Sequence, residues 1–136
     1  MAVTTDCQIL VDAPISEDEV KTLISKAWGL FDGQDGARVE VVLMGVKDHT
    51  LLHKQFLDDS TETDVMAFPY GDADLFGELL VNVDMARLQA ETRGLAFGDE
   101  LRLYIVHGCL HLLGFDDHCD DDRKKMRDAE NKVLQI

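Results

Sequence analysis

The stretch from Asp99 to Leu113, Asp-Glu-Leu-Arg-Leu-Tyr-Ile-Val-His-Gly-Cys-Leu-His-Leu-Leu, is the most apolar long segment of the chain. It reads as a buried helix that Gly114 stops. A helix apolar on nearly every side has to be covered by other elements. The 136 residues suffice for one domain over 1–136 and hardly for two, so the rest of the chain has to pack around this helix.

The remaining segments supply both strands and helices. Asp6 to Val11, Arg38 to Val46, Asp64 to Pro69 and Gly77 to Val83 read as strands, the second of them valine-rich and buried. Ser16 with Glu19 three positions on is a capping box, and Val20, Leu23, Ile24, Ala27 and Trp28 recur at helical spacing over 17–31. Asp48 is the expected cap of a helix through Phe56, and Asp84 of one through Thr92. A final helix is expected from Asp120 or Asp121 to the C-terminus, its aspartates favoured at the positive end of the helix dipole. Residues 57–63 read as a polar loop and Gly71-Asp72-Ala73-Asp74 as a turn. The expectation is an α+β fold of about four strands in a mixed sheet and about five helices. The two strands within 57–83 are joined by a short link, so antiparallel and parallel pairings both belong to it.

Charge and cysteines narrow the function classes. Thirteen basic against 27 acidic residues leave a net charge of −14. That excludes a chain coated in basic residues for gripping nucleic acid or an anionic membrane. Arg123, Lys124, Lys125 and Arg127 cluster on the last helix, where they balance Asp120, Asp121 and Asp122. No apolar run approaches the roughly 18 residues of a membrane span. The first residues, Met1-Ala2-Val3-Thr4-Thr5-Asp6, show neither a basic region nor a long apolar one, so no secretory leader is expected. Cys7, Cys109 and Cys119 are odd in number and widely spaced, which fits a reducing, cytoplasmic setting.

His107 and His111 lie four apart on the apolar helix, so both imidazoles leave one face, one turn apart. Two ring nitrogens so placed can bind one metal ion. Gly114 then permits a sharp turn, and the Asp116-Asp117-His118 run can fold back with a third ligand. Three protein ligands and an open position are the usual arrangement of a catalytic zinc, and zinc leads among the metals that imidazole suits. A zinc peptidase of the His-Glu-x-x-His kind carries its general base directly after the first histidine; here that position is Gly108.

The segment His107-Gly108-Cys109-Leu110-His111-Leu112-Leu113-Gly114-Phe115-Asp116 resembles the signature of the YbeY-type rRNA maturation factors, metal-dependent endoribonucleases. Thr63-Asp64-Val65-Met66-Ala67-Phe68-Pro69 is similar to that family's T-D-V-L-S-F-P, and Gly77-Glu78-Leu79-Leu80-Val81-Asn82 to its G-D-I-x-I-S. The likeness covers residues 39 to 134. It implies a single-strand-specific endoribonuclease of 16S ribosomal RNA maturation and ribosome quality control, with one zinc ion per chain on three histidines. Its partners would be single-stranded RNA and a ribosomal protein or the small ribosomal subunit. His107 and His111 carry over as the first two ligands. The family's third histidine falls at Asp117, one residue before His118, so the third ligand is His118 after a one-residue loop insertion, or Asp117 in its place. With His118 as the ligand, Asp117 or Asp116 would then orient an imidazole. Glu78, Asp64 and Asp116 are candidate carboxylates for moving a proton.

The chain departs from the family once more. Leu57 stands where the resemblance puts an arginine near the scissile phosphate, and residues 39–86 hold no arginine. His53 and Lys54 are the nearby cations that could partly substitute. The same residues allow two other readings: a metalloprotease-like hydrolase, and a ribosome assembly factor whose zinc is structural.

Overall fold

The computed structural model describes residues 3–59, 61–72 and 74–135. Residues 1, 2, 60, 73 and 136 lie outside the described ones; parts of the leader, loop 57–63, turn 71–74 and C-terminal readings fall on them. The elements run β1 (Thr4–Ile9), α1 (Glu17–Leu30), β2 (Arg38–Met44), α2 (Val46–Leu57), β3 (Val65–Pro69), β4 (Gly77–Asn82), α3 (Val83–Arg93), α4 (Phe97–Leu112) and α5 (Asp120–Leu134). They make the expected α+β fold of four strands and five helices. The sheet is mixed, in the order β1-β2-β4-β3. β1, β2 and β4 are parallel, and β3 returns antiparallel on the outer edge of β4, with Val65 opposite Val81 and Pro69 opposite Gly77. The proline thus sits at the end of an edge strand, where its missing N–H breaks little of the ladder.

One sheet face carries the main core. Val39, Val41, Leu43, Leu79 and Val81 project from β2 and β4 into a cluster with Val20, Ile24 and Trp28 of α1 and Leu101, Ile105, Cys109 and Leu110 of α4. Met126, Ala129 and Val133 of α5 close it from beyond. The other face holds a small cluster of Met44, Met66 and Leu80 beside Leu52 of α2. The apolar helix is therefore enclosed as its composition requires, between the sheet, α1, α3 and α5.

Two glycines allow α4 to lie this close to the sheet. A Cβ on Gly108 would stand 2.9 Å from Val65 Cγ2 and 3.0 Å from Leu79 Cδ2. A Cβ on Gly77 would stand 2.7 Å from Leu112 Cδ2. Gly108 is the position a His-Glu-x-x-His peptidase gives to its general base. Here that side of the helix faces β3 and β4, and there is no room for a glutamate.

Local signals hold where the partners are close in sequence. Ser16 caps α1, its oxygen accepting the Glu19 N–H at 3.1 Å while Glu19 reaches back. Elsewhere tertiary contacts override them. α2 begins at Val46, before Asp48, and its first N–H donates to Asp84 Oδ2 at 2.8 Å. Asp84, expected to cap α3, thus serves α2 across 38 positions of sequence, and Asn82 caps α3 instead by accepting from Met85. The first strand begins two residues early because Thr4 pairs with Arg38 in the register set by β2.

Candidate metal centre

A paired cap ends α4 and sets the direction of the next segment. The Gly114 N–H donates to the His111 carbonyl at 3.1 Å and the Phe115 N–H to the Leu110 carbonyl at 3.0 Å. Gly114 has φ +98°, a backbone that only glycine adopts freely. The chain consequently reverses over the last turn of the helix. Phe115 packs edge-on against Phe31 with centroids 5.1 Å apart, which anchors the reversal in the core.

The reversal brings three residues together. His107 and His111 present their Nε2 atoms to each other at 3.1 Å, and Asp117 Oδ2 lies 3.5 Å from both. The other nitrogen of each ring is already committed. Nδ1–H of His107 donates to Glu130 Oε2 at 2.7 Å, and Nδ1–H of His111 donates to the Phe115 carbonyl at 3.0 Å. A carboxylate and a carbonyl can only accept, so each neutral ring carries its proton on Nδ1 and a lone pair on Nε2. With both rings neutral, two such lone pairs and a carboxylate oxygen converge. Two imidazole nitrogens and a carboxylate oxygen so placed are the donor set of a zinc site. His107, His111 and Asp117 form a group of the described residues that could hold a metal ion.

The other candidates lie at varying distances from this group. His118 turns to solvent with its side chain 83% exposed, and its Nε2 lies 3.8 Å from Asp116 Oδ1. Asp116 lines a groove with His111, Leu57 and His53 along β3. Asp64 lines the cavity on the opposite side, with His107 and Asp117, and its Oδ1 accepts the Val65 N–H at 2.7 Å. Asn82 fixes this segment, donating through Nδ2 to the Thr63 carbonyl while its own N–H donates to the Asp64 carbonyl. Glu78 is not brought to the group. It alternates with Gly77 and Leu79, which face α4, and its Oε1 accepts from the Tyr70 hydroxyl at 3.1 Å. Cys109, between the two histidines, faces the core, and burial pushes its thiol up to about 12, so it stays protonated.

Sequence reasoning missed Glu130. It is buried on α5, and its hydrogen bond to His107 holds that imidazole above the ordinary histidine range against the opposing effect of burial. A signal for it exists. Met126, Ala129, Glu130 and Val133 recur at the spacing of one buried helix face, and a carboxylate on an apolar stripe needs a partner.

The family model described as Endoribonuclease YbeY matches residues 5–136. The endoribonuclease YbeY of Bacteroides thetaiotaomicron is 38% identical over 100 residues, covering 71% of this chain and 73% of its own length. That of Mycobacterium marinum is 29% identical over 134 residues, covering 89% and 75%. A solution structure of a Thermotoga maritima protein shares the fold, with a TM-score of 0.65 at 24% identity over 98% of this chain and 87% of that one.

Proposed function

This chain belongs to the endoribonuclease YbeY family, an RNA-cleaving family, and on that premise we propose that it is a single-strand-specific, zinc-dependent endoribonuclease of 16S ribosomal RNA maturation and ribosome quality control. The observation that carries the metal dependence is the pair of Nε2 lone pairs facing each other at 3.1 Å with Asp117 beside them. His107, His111 and Asp117 would hold the ion. A zinc ion there supplies Lewis-acid polarisation of a phosphoryl oxygen and a lowered pKa for water.

The chain's own residues divide the remaining tasks. Glu130 and the Phe115 carbonyl hold the two imidazoles in the tautomer that frees Nε2. Asp116 and Asp64 flank the group from its two sides and are the proposed proton carriers, from water or from the RNA 2′-OH. The side chains of His107, His111 and Asp117 are 23%, 28% and 39% exposed, so the centre opens to solvent. An open centre with three protein ligands favours catalysis over a structural zinc, which takes four. The peptidase reading lacks its general base, since Gly108 is packed against the sheet. With a net charge of −14 on the chain, delivery of the RNA by a ribosomal protein or the small subunit belongs to the proposal, as does a cytoplasmic setting. No helix of the described residues is long and apolar enough to cross a membrane.

Metal removal tests this reading. Exhaustive chelation should abolish cleavage of single-stranded RNA, and added zinc should restore it, while casein stays intact under both conditions. Full RNA cleavage by the metal-free chain, or cleavage of casein alone, would show the assignment to be wrong.

A further inference from the structure

Three of the six arginines of this acidic chain line one cavity. It has a volume of about 520 Å³ and lies between α3, α4 and α5, with His107 and Asp117 of the candidate centre in its wall. Arg93 enters from the last turn of α3, and Arg123 and Arg127 from successive turns of α5. The neighbouring Lys124 and Lys125 do not line it, so the basic cluster of the last helix divides into a cavity face and an outer face.

Carboxylates accompany these arginines: Glu100 and Glu130 are buried beside them, while Glu62 is exposed and Asp64 half-buried in the same lining. Arg93 Nη1 lies 3.3 Å from Glu100 and Arg127 Nε 3.5 Å from Glu130, whose side chains are 2% and 6% exposed. The two arginine side chains are 56% and 73% exposed and lie over these acids. Arg123 is paired with Asp120 and donates to the Asp117 carbonyl at 3.3 Å, which ties it to the ligand-bearing loop. Each guanidinium has five N–H donors, so none is exhausted by these contacts. On the other side of the centre, the groove along β3 has no arginine or lysine in its lining, and Leu57 stands there. Of the two clefts beside the metal group, the arginines thus line only this one.

We propose that this cavity is the phosphate-binding subsite for the RNA strand, with Arg93, Arg123 and Arg127 gripping the phosphodiester groups on one side of the bond that is cut. The inference rests on the endoribonuclease reading and adds the residues that hold the strand. Forked guanidinium groups suit phosphate oxygens, and their clustering lets a chain of net charge −14 bind a polyanion locally.

The test uses the full zinc-loaded chain and a short fluorescein-labelled 2′-O-methyl oligonucleotide, which carries phosphates but no 2′-OH, read by fluorescence anisotropy over a salt series. R123Q/R127Q should weaken binding about tenfold or more, and should lower the slope of log K against log salt by about 1.4, since each single-strand phosphate contact contributes about 0.7. K124Q/K125Q makes the same charge change on the same helix and should alter affinity less than about twofold. R123K/R127K should keep the slope and lose part of the affinity, because charge remains and the fork is gone. Equal losses for the arginine and lysine pairs, or none for either, overturn the subsite. Cleavage of unmodified RNA by the unaltered chain is measured alongside. Absent cleavage with arginine-dependent binding removes the nuclease reading alone, and cleavage with arginine-independent binding removes the subsite alone.

Discussion

Replacing His111 with alanine is expected to leave the purified chain without its metal and to reduce single-stranded RNA cleavage by more than about 100-fold, since losing even an outer partner of a ligand costs about 10–100-fold. The variant removes one of two imidazole Nε2 atoms that meet at 3.1 Å, leaving His107 and Asp117 to hold a cation alone. The fold should survive. His111 is partly exposed, and its one structural hydrogen bond, to the Phe115 carbonyl, contributes about 1 kcal/mol. The cap at Gly114 and the packing of Phe115 on Phe31 hold the reversal without it. His118→Ala is the internal control. That ring stands in solvent and should be replaceable with less than about a twofold change in either measurement. Metal content by elemental analysis and cleavage on a denaturing gel read both variants. Normal metal content in His111→Ala would remove the ring from the centre.

Glu130→Gln should lower zinc affinity by about 10–100-fold while leaving the secondary structure intact. The glutamine keeps the shape of the side chain and an oxygen for the His107 Nδ1–H, but withdraws the negative charge that makes the imidazole a stronger base. It also leaves Arg127 without its partner at 3.5 Å, a smaller loss because that guanidinium is mostly exposed. The same pair predicts a pH signature in the metal-free chain. Glu130 raises the His107 pKa in the folded state above its ordinary 6.5. The protonated pair therefore contributes stability fully present below pH 6.5 and lost as pH rises through the folded value. Metal-free wild type should melt higher than metal-free Glu130→Gln at acidic pH, with the gap closing toward alkaline pH. A gap that widens with rising pH would reverse the sign assigned to this contact.

Short-range patterns in the sequence survive in the fold. The helical spacing of His107 and His111 translates directly into facing rings, because one turn of α4 determines where both side chains leave the backbone. The capping box of Ser16 and Glu19 is likewise local. The choice between Asp117 and His118 is not legible in the sequence, since beyond Gly114 no period constrains which of two adjacent side chains turns inward; the reversal alone places Asp117 at the rings. Glu130 lies 23 residues from His107, and only the packing of α5 on α4 joins them. The strand register and the capping of α2 by Asp84 are equally products of assembly. The order β1-β2-β4-β3 arises from pairing that sequence alternation does not encode, although the short link before β4 does point to one antiparallel neighbour.

The most direct measurement is anomalous diffraction at the zinc absorption edge from crystals grown with zinc. One peak per chain is expected, within about 2.0–2.2 Å of Nε2 of His107, Nε2 of His111 and a carboxylate oxygen of Asp117, with none at His118. Two rings in direct contact with no anomalous peak beside them, or an ion bound elsewhere with Asp117 turned away, would contradict the metal centre.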